Sequence, residues 1–288
     1  MEYLIHLAIL ISIWSMLAVS LNLILGYTGL LSITHAVFFG LGAYATAISI
    51  TVYDINFFVS IFMGILITGI ISLLFGLILS RFKGDIYALA SFGLNIIVFS
   101  IFLNWQDLTR GPLGIPGINR PEIFDFVFKN NLYFLILVAI FALLIYLLSE
   151  YIVKSSFGRV LQAIREKEEI IQVFGYKTQL FKLTIFVISA CMASVAGSFF
   201  ASYITFIDPS TFDLQESIFI LAIVILGGLA NNKGAFVGTV FLILLPEVLR
   251  FVGFPTDIAA QMRQVVYGLL LVGLMMYRPQ GLLGKFKL

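Results

Sequence analysis

Residues 155–182 read SSFGRVLQAIREKEEIIQVFGYKTQLFK, the one long, highly charged stretch of a chain that is otherwise apolar. The 288 residues are 61% hydrophobic and 11% charged, whereas an ordinary soluble domain is about 25% charged. The apolar residues come in continuous runs near the ~20 residues that a helix needs to cross a bilayer. The sequence therefore predicts an all-α, polytopic transmembrane helical bundle with one soluble segment between its spans.

The number and direction of the spans follow from the apolar runs and the charges between them. About nine spans are predicted, with eight to ten as the range, at 4–25, 35–53, 57–79, 86–104, 131–150, 183–205, 216–230, 234–250 and 264–277. With the N-terminus outside, twelve of the 17 Lys and Arg residues lie in the cytoplasm. Because cytoplasmic loops carry the excess of Lys and Arg, we expect the N-terminus out and the C-terminus in.

This topology divides the chain into one domain with two soluble parts. Residues 1–288 form a single transmembrane domain, 155–182 a cytoplasmic segment, and 105–131 an extracytoplasmic loop.

Sequence signatures of enzymatic chemistry are absent. No Walker A sequence, GxxxxGK followed by Ser or Thr, occurs, so the chain has no ATPase motif of its own. HExxH, GxSxG and Cys/His clusters are also absent, and His6 and His35 are too few for a metal site. We therefore expect no enzymatic activity, no metal and no cofactor in this chain.

The positions of the acidic residues disfavour a proton-driven carrier. Such a carrier keeps ionisable groups at membrane depth. The acids that border the predicted spans fall instead at span ends or in loops: Asp54, Asp85, Asp208, Asp213, Glu216 and Asp257. His35 is the best relay candidate, but a hydrogen-bonded histidine at the start of a helix is the expected role.

Two polar, glycine-rich stretches interrupt the hydrophobic runs, at 26–42 (GYTGLLSITHAVFFGLG) and 226–238 (LGGLANNKGAFVG). Paired interruptions in a transporter often mark its pathway. The translocation-path candidates lie at these breaks or within the spans beside them: Asn22, Thr28, Ser32, His35, Asn95, Gly227 and Gly228. The alternative is packing, because Gly234 and Gly238 form a GxxxG spacing and buried amides hydrogen-bond across helices.

The external loop at 105–131 carries RGPLGIPGINRP, in which prolines and glycines predict a series of turns. It is either a lid over the spans or a docking surface for an extracytoplasmic partner. The docking candidates are the turn residues: Gly111, Pro112, Gly114, Pro116 and Gly117.

Within the charged segment, apolar residues between Phe157 and Phe174 recur at helical spacing, with charges on the other faces. This pattern predicts one amphipathic helix or two short ones, ended by Gly175. Such a helix can lie on lipid. The acids at 166, 168 and 169 oppose binding to an anionic leaflet and favour docking to a soluble partner.

Several stretches together resemble one known family, the permease subunits of bacterial and archaeal ABC importers for branched-chain amino acids, specifically the second of two paired permeases. They are NLILGYTGLLSITHAVFFGLGAY (22–44), FGRVLQAIREKEEIIQVFGY (157–176), the run FIDPSTF..QESI..L..VILGGLANNKGAFVGTV (206–240), LPEVLR (245–250) and YGLLLVGLMMYRPQGLLG (267–284). Two departures are Ala-Asn-Asn-Lys at 230–233, where the family tends towards Gly-Ser, and RGPLGI, where a second glycine often precedes the proline.

The resemblance implies partners: a second homologous permease in a heterodimer, two cytoplasmic ATPase subunits that bind ATP and Mg, an extracytoplasmic solute-binding protein, and the bilayer, but no nucleic acid. It also implies that 155–182 holds a coupling helix moved by the ATPase. The matching residues are Gln162, Ile164, Arg165, Glu168, Glu169, Ile171, Phe174 and Gly175. We expect Ile164, Ile171 and Phe174 as anchors in an ATPase groove, with Arg165, Glu168 and Glu169 as a polar rim.

The function implied is ATP-driven import of leucine, isoleucine and valine across a bacterial or archaeal cell (inner) membrane. Alternatives are a permease for urea, short amides or other amino acids in the same family, or a self-contained channel or secondary carrier for a small uncharged solute. A scaffold without transport is disfavoured by the two polar breaks.

Overall fold

The computed structural model describes residues 2–123, 126–128, 130–251, 265, 268, 269, 272, 273, 276 and 281–284. These residues form the helices α1 Glu2–Thr28, α2 His35–Thr51, α3 Phe57–Leu79, α4 Gly84–Asn104, α5 Gln106–Thr109, α6 Asn131–Lys154, α7 Ser156–Val173, α8 Thr178–Ile204, α9 Leu214–Gly227 and α10 Asn232–Phe251. The short strands are β1 Ile115–Pro116, β2 Glu122–Ile123, β3 Phe126–Val127 and β4 Phe206–Ile207, and 3₁₀ turns lie at Gly111–Leu113 and Pro209–Phe212.

Six segments in the described part of the chain are long and apolar enough to cross a membrane: α1, α3, α4, α6, α8 and Pro209–Gly227, which contains α9. The prediction of an all-α, multi-pass membrane protein is confirmed. Helix α2 has 17 residues, or about 26 Å, slightly less than the ~30 Å hydrocarbon core. The predicted span at 264–277 falls mostly outside the described residues.

Helix α8 lies at the centre of the bundle. Its most apolar window is 72% buried, against 28% for α3 and α4 and 22% for α6. Small residues let α2 approach it closely: a Cβ atom on Gly42 would overlap the Ser194 backbone, and one on Gly197 would overlap the Phe39 carbonyl. Backbone contact of this kind is how apolar helices associate where burial from water offers no driving force.

Three hydrogen bonds fix the directions of the central helices. His6, near the start of α1, bonds Tyr203, near the end of α8, so these helices are antiparallel. His35 at the start of α2 bonds Ser189 of α8, and Thr46 bonds Ser198 further along, so α2 and α8 are parallel. Because Ser189 lies eleven residues after the start of α8, α2 begins inside the bundle rather than at its surface.

Helix α9 is also short, with 14 residues, or about 21 Å. The Trp14 indole, near the middle of α1, donates to Glu216 in the first turn of α9 at 2.8 Å. Gly26, near the end of α1, abuts Ala230, which follows α9. Helix α9 therefore runs beside only the second half of α1. The sequence predicts Glu216 at the end of a span. Glu216 does lie in the first turn of a helix, but that turn is level with the middle of α1.

The short strands and α7 lie at opposite ends of the bundle. At one end, β1 pairs antiparallel with β4, which follows α8, and β2 pairs with β3. At the other end, α7 joins α6 to α8. Since α1 is antiparallel to α8, the first residues of α1 lie on the side of the strands, away from α7.

Candidate functional site

The first break is the non-helical stretch at 29–34 between α1 and α2, and α4 satisfies its backbone. The Ile33 amide donates to the Ser91 hydroxyl at 3.0 Å, and the Asn95 amide donates to the Ile33 carbonyl at 2.8 Å. Asn95 also donates to Ser217 of α9 at 2.8 Å. Irregular backbone inside a bundle needs such partners because no water reaches it.

The polar path candidates of this break are enclosed in protein. The Thr28 hydroxyl donates to the Ile24 carbonyl at 2.6 Å, and Ser32 bonds Thr34 at 2.9 Å. His35 bonds Ser189 at 3.1 Å through Nε2, while its buried Nδ1 has no hydrogen-bond partner among the described residues. These side chains hold the break in shape and present no open surface in this conformation.

The second break lies at residues 228–231, between α9 and α10, and the Asn22 side chain of α1 binds it. The Asn22 side-chain oxygen accepts from the Ala230 amide at 3.1 Å, and its amide donates to Asn232 at 3.1 Å. Asn232 in turn donates to Ser149 and Glu150 of α6 at 2.8 and 3.2 Å. Asn22 therefore joins α1, the second break and α6 in one buried network.

Four residues near the C-terminus, at 281–284, complete this second break. The Leu282 and Leu283 amides donate to the carbonyls of Leu226 and Gly227 at 2.9 and 3.0 Å. Gly228, at φ 113°, lies against the Gly284 backbone with no room for a side chain. The last carbonyls of α9, which lack helical partners, are thus satisfied by the C-terminal segment. In the sequence, PQGLLG carries only the family resemblance, and no local pattern indicates this contact.

Helix α7 is two short helices, because Lys167 at φ −153° and ψ 89° interrupts it. The predicted alternative of two short helices is confirmed. Its amphipathic pattern reflects one face on the bundle and one away from it. Leu161 and Ile164 are buried at 1% and 4% exposure, so Ile164 supports α7 from within instead of presenting an anchor to a partner.

Two charged residues of α7 also face the bundle. Arg165 donates to the Gly26 carbonyl in the last turn of α1 and lies against Gly29 at the start of the first break. Glu168 pairs with Lys182 of α8 at 2.6 Å and accepts from Thr178 at 2.9 Å. The sequence predicts Arg165 and Glu168 on an outer polar rim, whereas both side chains have partners within the chain.

Two contacts attach α7 to the bundle, Arg165 to Gly26 and Glu168 to Lys182, and they are called the tethers here. Their geometry determines the pKa of each charged group. Burial of Glu168 would raise the pKa of its carboxyl, but the hydrogen bonds from Lys182 and Thr178 outweigh burial and hold that pKa below its ordinary value. Burial lowers the pKa of Arg165, whose guanidinium nevertheless stays protonated at any physiological pH.

The outer face of α7 is apolar towards its C-terminal end. Ile170, Val173 and Phe174 are 47%, 86% and 73% exposed. At the kink, an open concavity of about 380 Å³ is lined by Ala163, Glu166, Lys167, Ile170 and Ile171. Of the predicted coupling residues, Phe174, Glu169 and Gly175 are exposed, while Gln162 and Ile171 are half-buried. Ile170 and Val173, which are not among the predicted coupling residues, also belong to this surface.

The five docking candidates of the loop at 105–131 differ in burial. Gly111 and Gly114 are buried at positive φ, and Gly114 lies against Phe206 and the Ile207 carbonyl of β4. Pro112, Pro116 and Gly117 are exposed, as is Leu113, which is 82% exposed. The buried glycines shape the loop, and the exposed residues form its outer surface.

Short helices α2 and α9, backbone breaks held by side chains and a charged helix bonded to the end of α1 describe a polytopic helical membrane protein with interrupted spans. The chain belongs to the family described as the branched-chain amino acid transport system permease component, whose model matches residues 3–275.

The comparison with curated proteins gives relatives of the same kind. The chain is 30% identical to the high-affinity branched-chain amino acid transport system permease protein LivM of Escherichia coli strain K12, over 97% of this chain and 69% of that protein. LivM of Salmonella typhimurium strain LT2 is similar to the same extent. The autoinducer 2 import system permease protein LsrC of Escherichia coli O9:H4 strain HS is 28% identical over 72% of this chain and 61% of that protein. No solved structure matches.

Proposed function

We propose that this chain is the M-type permease subunit of an ATP-driven importer for leucine, isoleucine and valine, in a bacterial or archaeal cell (inner) membrane. Family membership and the names of the LivM relatives support the transport system and its substrate class. The observation that carries the mechanism is α7. Its outer face is apolar and exposed, and its inner face bonds the end of α1 beside the first break.

In this proposal a cytoplasmic ATPase subunit docks on the outer face of α7, around Ile171 and Phe174. Movement of α7 then displaces Arg165 and, through Gly26, the last turn of α1 and the break that follows. The tether of Glu168 to Lys182 transmits the same movement to α8. The chain itself supplies no hydrolysis, and two ATPase subunits bind and hydrolyse ATP with Mg.

The remaining partners and the topology complete the proposal. The predicted nine spans, with N-terminus out and C-terminus in, agree with the Lys and Arg distribution and with an α1 that begins on the side away from α7. A solute-binding protein then docks on the exposed loop surface at Pro112, Leu113 and Pro116. A second homologous permease completes the pathway, for which the seven predicted path residues remain candidates that open in another conformation.

Reconstitution tests the proposal. The test system is a proteoliposome with this chain, the second permease and the ATPases, to which the leucine-loaded binding protein is added. Leucine is expected to accumulate only when ATP is present on the side of the membrane where the ATPases lie. The same chain alone, given a pH gradient, is expected to accumulate none. Concentrative uptake by the chain alone would establish the secondary carrier, and an importer that accepts urea or short amides but not leucine would establish the alternative substrate class.

A further inference from the structure

Glu216 is a carboxylate at the depth of the middle of the bundle. Its Oε1 accepts the Trp14 indole N–H at 2.8 Å. Trp14 lies twelve residues after Glu2 and fourteen before Thr28, which at a rise of 1.5 Å places it about 18 and about 21 Å from the two ends of α1. A helix that spans the bilayer therefore holds Glu216 near the bilayer midplane.

Only one of the two carboxylate oxygens of Glu216 has a hydrogen-bond partner among the described residues. Neither ion pair found in the described part of the chain involves Glu216, and its Oε2 has no hydrogen-bond partner there. Asp213, the N-cap of α9, accepts a hydrogen bond from the Glu216 backbone amide at 3.0 Å. Because the cap is itself an acid, it cannot compensate the charge of the Glu216 side chain. An acid at membrane depth is costly to retain and faces a cavity or a protein partner rather than lipid.

The surface around Glu216 differs from the lipid-facing surfaces of the bundle. Every exposed side chain on α3 is apolar, from Val59 to Ile78. The first turn of α9 instead exposes Gln215 and, in part, Glu216, next to the half-exposed Trp14. Because polar groups at this depth do not face hydrocarbon, this face of α1 and α9 lines protein or the transport pathway.

We propose that Glu216 contacts the substrate in the transport pathway and that its Oε2 accepts the ammonium group of an amino acid. The Trp14 N–H orients the carboxylate by holding Oε1. A primary ammonium donates well to a carboxylate, and such charge-assisted hydrogen bonds are stronger than neutral ones. Substrate sites near the bilayer midplane, formed by discontinuous helices, are a common arrangement in transporters. This inference rests on the proposed function, since it takes an amino acid as the substrate.

The test uses the complete importer with Glu216→Gln, which keeps the acceptor for Trp14 and removes the charge. Loss of a hydrogen bond to a charged group is expected to lower leucine import at saturating binding protein by at least about tenfold. Stimulation of ATP hydrolysis by the loaded binding protein is expected to persist. The matched control is Glu247→Gln, which removes an acid of α10, and this variant should import leucine normally. Glu216→Asp, which restores the charge, should recover part of the import.

Photolabelling separates contact from a structural role. A diazirine analogue of leucine, delivered by the binding protein during turnover, is expected to label the peptide of residues 214–227 in the wild type and not in Glu216→Gln. Normal import by Glu216→Gln overturns the inference. So does loss of the second permease from the purified variant complex, because Glu216 would then pair with a cation of that subunit. A wild-type complex that imports no leucine refutes the proposed function instead.

Discussion

Truncation of Phe174 tests whether the outer face of α7 is where the ATPase docks. The ring is 73% exposed in the chain alone, and a Phe side chain offers about 200 Å² for burial. About 150 Å² thus becomes available, which at ~25 cal/mol/Å² sets an upper bound of about 3.8 kcal/mol. Part of the surface remains with Ala, so Phe174→Ala should cost about 2–3 kcal/mol, or about 30- to 150-fold in the Kd for the ATPase.

The assay is titration of the detergent-solubilised permease pair with the purified ATPase. The thermal stability of the permease should change by no more than about 0.5 kcal/mol, because the ring covers no core residue. Ile164→Ala serves as a contrast: its side chain is buried, so it should destabilise the chain itself by about 2–5 kcal/mol. Tyr53→Ala, which removes a 68% exposed aromatic ring at the opposite end of the bundle, should leave the Kd unchanged.

A Kd for Phe174→Ala within about threefold of the wild type would refute the docking surface, since this is less than the cost of one buried anchor. The alternative, an α7 that lies on lipid, predicts that outcome. It also predicts that Phe174→Ala weakens the attachment of α7 to vesicles, which a depth-sensitive label on α7 would report.

Three further predictions concern the tethers. Arg165→Met keeps the apolar stem but loses the bond to the end of α1, so the ATPase should bind and hydrolyse ATP while leucine uptake falls; unchanged uptake per ATP would contradict the transmission route. The pKa of Glu168 is lower in the folded chain than in an ordinary glutamate, so its ion pair with Lys182 stabilises the chain at pH values above the ordinary pKa, and this stabilisation is lost as pH falls through the folded value. The wild type should therefore melt at a higher temperature than Glu168→Gln near neutral pH and at the same temperature in acid. A difference that stays constant with pH would argue against the ion pair. Gly228→Ala should cost more than about 2 kcal/mol because φ 113° strains any side chain and the C-terminal segment leaves no room, whereas Gly93→Ala, in open space, should not destabilise; melting curves of both variants decide this.

Much of the fold is legible in the sequence because membrane helices are long and apolar. The runs at 57–79 and 131–150 predict α3 and α6 to within a few residues, since a helix in hydrocarbon must satisfy its own backbone. The charged segment likewise predicts α7. The helical period of this segment, about 3.6 residues, identifies two faces of α7 but not which of them contacts the bundle. The sequence therefore predicts both Ile164 and Phe174 as anchors for the ATPase.

The site depends on contacts between residues far apart in sequence. Asn22 and Asn232 are 210 residues apart, and no local pattern indicates that they bond. The depth of Glu216 is equally hidden: the sequence shows an acid at the start of an apolar run, and only the Trp14 bond places that start halfway along α1.

Hydrophobicity and helical period are local properties of the chain, so the sequence alone predicts the class of protein, most of its helices and the position of the charged segment. The tertiary structure decided which face of α7 is free, how Asn22 and residues 281–284 close the second break, and how deep α9 begins. The physical reason is that a buried polar group has no water to bond. Its partner is whichever group the packed helices bring within about 3 Å, and that is a property of the whole bundle.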